Sequence, residues 1–281
     1  MNTLLEPFRY EFFVNGLFVA AFSGALCGLV GVYVILRGMS YIGHGLSHAI
    51  FGGAVVSFVL KINFYLGAGL WGFVSALLIN RVARRRVLGA DAAIGVITIV
   101  SFAVGLAVIS GQHKFNRNFE AALWGNVLAV SLGDVLIVAG VLAAVALLVA
   151  LQYRRLLFTT FDPEVAEASG VETGRIDAMF ALVLAATIVA TMNILGVLLI
   201  AAALVVPPAI ARMLTDSFSK MLWLSVIIGA FSGLLGMYVS WFPDIASGPA
   251  IVMVDGALFV IAYAVSGTRA ARRLRGASAH V

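Results

Sequence analysis

The sequence predicts an all-α integral membrane protein, a polytopic bundle of about eight to nine transmembrane helices, and three observations carry that expectation. Of the 281 residues, 62% are hydrophobic and 11% charged, against roughly 25% charged in ordinary soluble domains. The apolar residues fall in continuous runs of about 17 to 25, the length a helix needs to cross the hydrocarbon, and not in the alternating segments of a barrel. Arginines and lysines stand at the ends of these runs. The formal net charge of +5 is therefore read as topology, and no nucleic-acid partner is expected.

The runs cover about 12–36, 46–60, 64–80, 91–110, 134–152, 177–193, 195–213, 220–241 and 248–266. The second is short and bracketed by glycines, so the count is eight or nine. Glu6 and Glu11 occupy the stretch that a cleaved signal would make basic, so the first run is read as a retained span. Arg81, Arg84, Arg85 and Arg86 follow the third run, Arg154 and Arg155 the fifth, and Arg269, Arg272, Arg273 and Arg275 the last, while Arg212 and Lys220 bracket the seventh and eighth. Alternating spans put all four clusters on one side. By the positive-inside rule that side is the cytoplasm, with the C-terminus inside. The whole chain, 1–281, reads as a single transmembrane domain with a polar cytoplasmic segment at about 159–177. Cys27 is the single cysteine and excludes an internal disulfide.

Small residues at four-residue spacing, Gly24 with Gly28, Gly45 with Ala49 and Gly53, Gly229 with Gly233, are expected to let helix backbones approach closely. Pro207 and Pro208 remove two backbone donors and are expected to kink or end their helix.

The stretch Tyr41 to Gly53, YIGHGLSHAIFGG, carries the chemistry. On a helix His44, His48 and Gly52 share a face. Two imidazoles one turn apart can hold a divalent ion, with Gly52 leaving room beside it and Ser47 as a supporting hydrogen-bond partner. The alternative is that both histidines hydrogen-bond to neighbouring helices. An intramembrane metalloprotease would need a glutamate directly after the first histidine, and position 45 is glycine. Asp255 lies inside the last apolar run, as a pathway residue or one half of an ion pair, and Asp244 lies just outside it. His113 reads as a loop histidine. In the cytoplasmic segment Asp162 is placed to cap a short helix starting at Pro163, with Glu164 and Val165 in its first turn and Gly170 closing it. That segment is either a docking element or an ordinary loop. No GxxxxGK[ST] stretch occurs, so any ATP is bound by another subunit.

Five stretches in order, VILRGMSYIGHGLSHAIFGG, LWGNVLAVSLGDV, FDPEVAEASGV, NILGVLLIAAALVVPPAIARML and SWFPDIASGPAIV, resemble the permeases of bacterial zinc and manganese ABC importers, the ABC-3 family. The resemblance covers nearly the whole chain. It implies a permease of the type II importer architecture in the bacterial inner membrane, paired with a second copy. Two cytoplasmic ATPase subunits and an extracytoplasmic metal-binding protein are the further partners it implies. No cofactor is bound by the chain; a zinc or manganese ion is cargo. The family's GDxLSHA pattern places an acidic residue at position 44, which here is His44, while Ser47 and His48 match. Nitrogen in place of oxygen suits zinc better than manganese. The acidic residue usual before LWGN falls at Asn118, with Glu120 nearby. A secondary carrier driven by an ion gradient, with Asp255 as its coupling carboxylate, is the alternative function.

Overall fold

In the computed structural model, residues 3–84, 90–111, 125, 130–197 and 199–278 are described. A 3-10 turn, Thr3–Arg9, precedes eleven helices among the described residues. They are α1 Glu11–Leu36, α2 Ser40–Val59, α3 Phe64–Arg84, α4 Ala90–Ser110, α5 Leu132–Leu151, α6 Tyr153–Phe161, α7 Pro163–Ala168, α8 Thr173–Leu195, α9 Ile200–Leu214, α10 Phe218–Trp241 and α11 Ser247–Ser278. Eight of them are long and apolar enough to cross a membrane.

α1 is the central post: 78% of its spanning window is buried, against 17% for α5 at the periphery. It packs against α10, α9, α5 and α8. Glycines explain how closely. A side chain at Gly24 would strike the backbone of Gly229, one at Gly28 the backbone of Ser225, and one at Gly233 the backbone of Ala20. The pairing runs antiparallel, and Ser225 Oγ donates to the carbonyl of Gly28 at 2.7 Å inside it. On the other side α2 packs on α3 and α4, and α8 bridges the two groups through α3.

The two ends of the bundle differ chemically. At one end Phe13 and Tyr10 meet Trp241, with ring centroids 5.3 Å and 5.4 Å apart, an aromatic cluster of the kind that sits at a membrane interface. Asp134 at the start of α5 is held there by Ser131 and by the Tyr65 hydroxyl at 2.7 Å. At the other end Arg37 meets Asp177, Thr159 and Thr160. That contact brings together the end of α1, the end of α6 and the start of α8.

Two expectations are corrected. The doubtful span was the second run, but α2 starts at Ser40 and has 20 residues, because its polar first turns are helical too. The short element is the seventh. Gly196, at φ +79°, breaks the chain after α8, and α9 has only 15 residues, about 22 Å against a hydrocarbon core of about 30 Å. Gly125 packs directly on the backbone of Ile194 and Gly196 at this break. Of the two outcomes expected of Pro207 and Pro208, kinking or ending their helix, the second does not occur, since the helix runs on to Leu214. Pro208 has no N–H to give the Leu204 carbonyl, and that oxygen instead packs on the bare Cα of Gly31.

Candidate functional site

His44 and His48 lie in the second and third turns of α2, and helical spacing puts both on the flank that faces α4. Their rings stand edge to face, with centroids 4.6 Å apart and planes at 82°. Phe102 of α4 meets His48 at 5.1 Å, again edge to face. Helix α4 comes this close because α2 is cut away: a Cβ added at Gly45 would hit Ile94 and Thr98, already crowded, and one at Gly52 would hit Ser101. The space beside Gly52 is thus taken by α4 and is not open to an ion.

Beside this seam a cavity of about 630 Å³ is lined by Tyr41, His44 and His48 from α2 and by Asp91, Thr98 and Phe102 from α4. Asp91 sits in the first turn of α4 and Tyr41 in that of α2. The order along the cavity is therefore a carboxylate and a phenol at the helix starts, two imidazoles within, and an aromatic ring beyond them. Nδ1 of His48 is buried and makes no hydrogen bond. An unpaired ring nitrogen in such a place is costly unless something fills it. Ser47 is fully buried and donates to the backbone carbonyl of His44 at 2.8 Å, so it fixes the turn that carries both rings. Thr98 likewise donates to the carbonyl of Ile94, at 2.7 Å.

Among the described residues no three His, Cys, Asp or Glu side chains stand close enough to hold one ion together. Two imidazoles and water make an open, incomplete shell, unlike the closed four-ligand shell of a structural zinc site. Such a shell suits an ion that must leave again.

Asp255 is 1% exposed on α11. It lies beside Ser232 of α10, whose hydroxyl is its nearest polar neighbour. It does not line the histidine cavity. Asp244 is exposed in the loop between α10 and α11, at φ +52°. In the polar segment Asp162 Oδ1 accepts from the N–H of Val165 at 3.0 Å, Pro163 opens α7, and Gly170 closes it at φ +83°. Phe161 and Val165 are 61% and 48% exposed there, with Glu164 and Glu167 beside them also at the surface. His113, Asn118 and Glu120 lie outside the described residues.

Sequence reasoning missed Asp91, Tyr41 and Arg37. No local signal could have flagged Asp91, because an acid in the first turn of a helix is ordinary dipole compensation.

The model of the ABC 3 transport family matches residues 9–266. The manganese transport system membrane protein MntC of Halalkalibacterium halodurans is 36% identical over 254 residues, 90% of this chain and 87% of its own length. The manganese import system permease protein ScaB of Streptococcus parasanguinis is 34% identical over 258 residues, 92% of each. Among solved structures, PsaBC from Streptococcus pneumoniae in complex with Fab is similar with a TM-score of 0.83 at 32% identity, covering 92% of this chain and 94% of that one.

Proposed function

We propose that this chain, which belongs to the ABC 3 transport family, is the membrane permease subunit of an ATP-driven importer of divalent metal ions. His44 and His48 are the ligands that meet the ion on its way, and the whole chain acts as one permease domain. The observation that carries this reading is the cavity that both imidazoles line, with the Nδ1 of His48 buried and unpartnered. Manganese is the cargo the relatives' names point to, and two imidazoles accept zinc as well. Asp244 and Asp255 are secondary pathway candidates.

Residues 162–171, with Asp162, Pro163, Glu164, Val165 and Gly170 shaping a capped helix, form the surface that a cytoplasmic ATPase dimer grips. The exposed Val165 and the outer part of Phe161, whose ring also meets Phe218 edge to face at 6.1 Å, offer apolar surface that a groove could cover. A second copy of the permease and an extracytoplasmic metal-binding protein complete the importer, in the inner membrane with the Arg37 end and the C-terminus facing the cytoplasm. The ion-gradient carrier has no support from the family assignment.

The test is manganese and zinc uptake into proteoliposomes holding the permease with its ATPase. Uptake that requires hydrolysable ATP and ignores ionophores is the expected result. Uptake that collapses with an ionophore and continues without ATP would return the function to a carrier.

A further inference from the structure

Arg37 follows α1 directly, and its side chain is only 10% exposed. Each guanidinium nitrogen has its own acceptor. Nη1 donates to Asp177 Oδ1 at 2.8 Å, Nη2 to Thr159 Oγ1 at 3.1 Å, and Nε to Thr160 Oγ1 at 3.2 Å. The flat of the group lies over the Phe180 ring, with Cζ 4.7 Å from its centroid. Thr159 and Thr160 donate their own hydroxyl protons to carbonyls of α6, those of Arg155 and Leu156. Their lone pairs are thereby left aimed at Arg37. Burial pulls the Arg37 pKa down while the Asp177 carboxylate opposes it, and an arginine starts so high that it stays charged. A charge this buried is tolerated only with partners in good geometry, so the contact is held in one arrangement.

What the contact joins matters more than its strength. Thr159 and Thr160 are in the last turn of α6, immediately ahead of the Asp162 cap of α7. On the other side Gly38, at φ +66°, turns the chain straight into α2, which carries His44. A side chain at Gly38 would meet nothing within 4 Å, so glycine is there for the backbone angle. A second cavity, of about 310 Å³, is bordered by Arg37, Thr160, Pro163, Asp177 and Ile94. Ile94 also lines the histidine cavity. The room for a shift at the Arg37 end thus lies one side chain, Ile94, from the histidine cavity.

We infer that Arg37 is a positioning residue that passes movement of the 162–171 segment into α2 and so re-aims His44 and His48. The inference rests on reading that segment as the ATPase docking surface. Displacement of α7 pulls the last turn of α6; the two threonines carry Arg37 with them; and the chain pivots at Gly38. Without the guanidinium the ATPase still docks and still hydrolyses ATP, but the stroke reaches α2 weakly.

The experiment measures metal ions moved per ATP hydrolysed in proteoliposomes of the complete permease–ATPase complex, for the parent, Arg37→Gln, Arg37→Lys and the double variant Thr159→Val/Thr160→Val. Crosslinking from Glu164→Cys to the ATPase is read alongside. Expected are an intact crosslink and continued hydrolysis in every variant, with ions per ATP down at least tenfold in Arg37→Gln and the valine pair. Arg37→Lys, which keeps the charge but loses the fork, falls between. An unchanged ratio with an intact crosslink overturns the role of Arg37. If Arg37→Gln does not assemble, the valine pair, which removes acceptors without removing the charge, decides alone. Loss of the crosslink in the parent itself would instead sink the docking assignment.

Discussion

His44 and His48 face one another across a single helical turn, ring centroids 4.6 Å apart, and the inner imidazole keeps a buried Nδ1 with no hydrogen-bond partner. A histidine that serves packing normally satisfies both nitrogens, because a buried unpaired polar atom costs about 1 to 3 kcal/mol. Here α4 presents Thr98, whose proton is given to Ile94 so that it has only lone pairs to offer, and Phe102 with no polar side-chain atom. The pair is better suited to an incoming cation than to its neighbours.

The first prediction follows. His44→Ala and His48→Ala each lower metal uptake into proteoliposomes by at least about tenfold, since even a supporting partner of a metal ligand is worth about 10- to 100-fold. Size-exclusion elution and ATPase binding stay as in the parent. Uptake at the parent rate in both variants would leave the histidines as packing residues.

A second prediction concerns the seam between α1 and α10. A Cβ at Gly229 would collide with the backbone carbonyl of Gly24, which cannot rotate away. Gly229→Ala should therefore cost about 1 to 3 kcal/mol by overpacking, a fall of roughly 2 to 12 °C in melting temperature for a chain of this size. Gly140→Ala, where the added atom meets nothing within 4 Å, should leave the melting temperature unchanged or raise it. Equal melting of both variants in detergent would remove the close-approach account.

Why some of this was legible in the sequence and some was not has a physical basis. The spans were legible because hydrocarbon demands long apolar runs, and the His44–His48 face because helical period is local. The cap at Asp162 was legible for the same reason: donor and acceptor are three positions apart. Arg37 was invisible because its acceptors lie 122, 123 and 140 positions away, and a lone arginine after a span reads as a topology signal. Asp91 was hidden until α4 was known to lie on α2. The break at Gly196 was legible to within two residues, as the boundary between the runs 177–193 and 195–213, but the shortness of α9 beyond it was hidden, since the residues on both sides are apolar.

The third prediction is topological. Single cysteines at Arg81, Glu164 and Arg212 should escape an impermeant thiol reagent in intact cells, and cysteines at Asn63 and Asp244 should react. Native Cys27 is fully buried and should stay silent in the background. Arg37 ties α1, α6 and α8 together at one end, and the aromatic cluster marks the other, so one reactive position among the first three would invert or break the whole assignment.

The last prediction uses the nitrogen at position 44. A metal held by two imidazoles competes with protons at both ring nitrogens, so binding weakens as the medium becomes more acid. Where protons displace the metal from both ligands, uptake should fall toward the square of the proton concentration. His44→Asp replaces one of them by a carboxylate that stays ionised down to about pH 4. The acid loss in this variant should then follow a single proton, with about half the slope on a logarithmic plot. The harder oxygen should also move preference from zinc toward manganese, because carboxylate suits manganese and imidazole suits zinc. Uptake of each metal, measured from about pH 5 to 8 in proteoliposomes with the ATPase held at one pH on its own side, separates the two effects. Identical acid slopes for the parent and His44→Asp would mean that the residue at position 44 does not touch the ion.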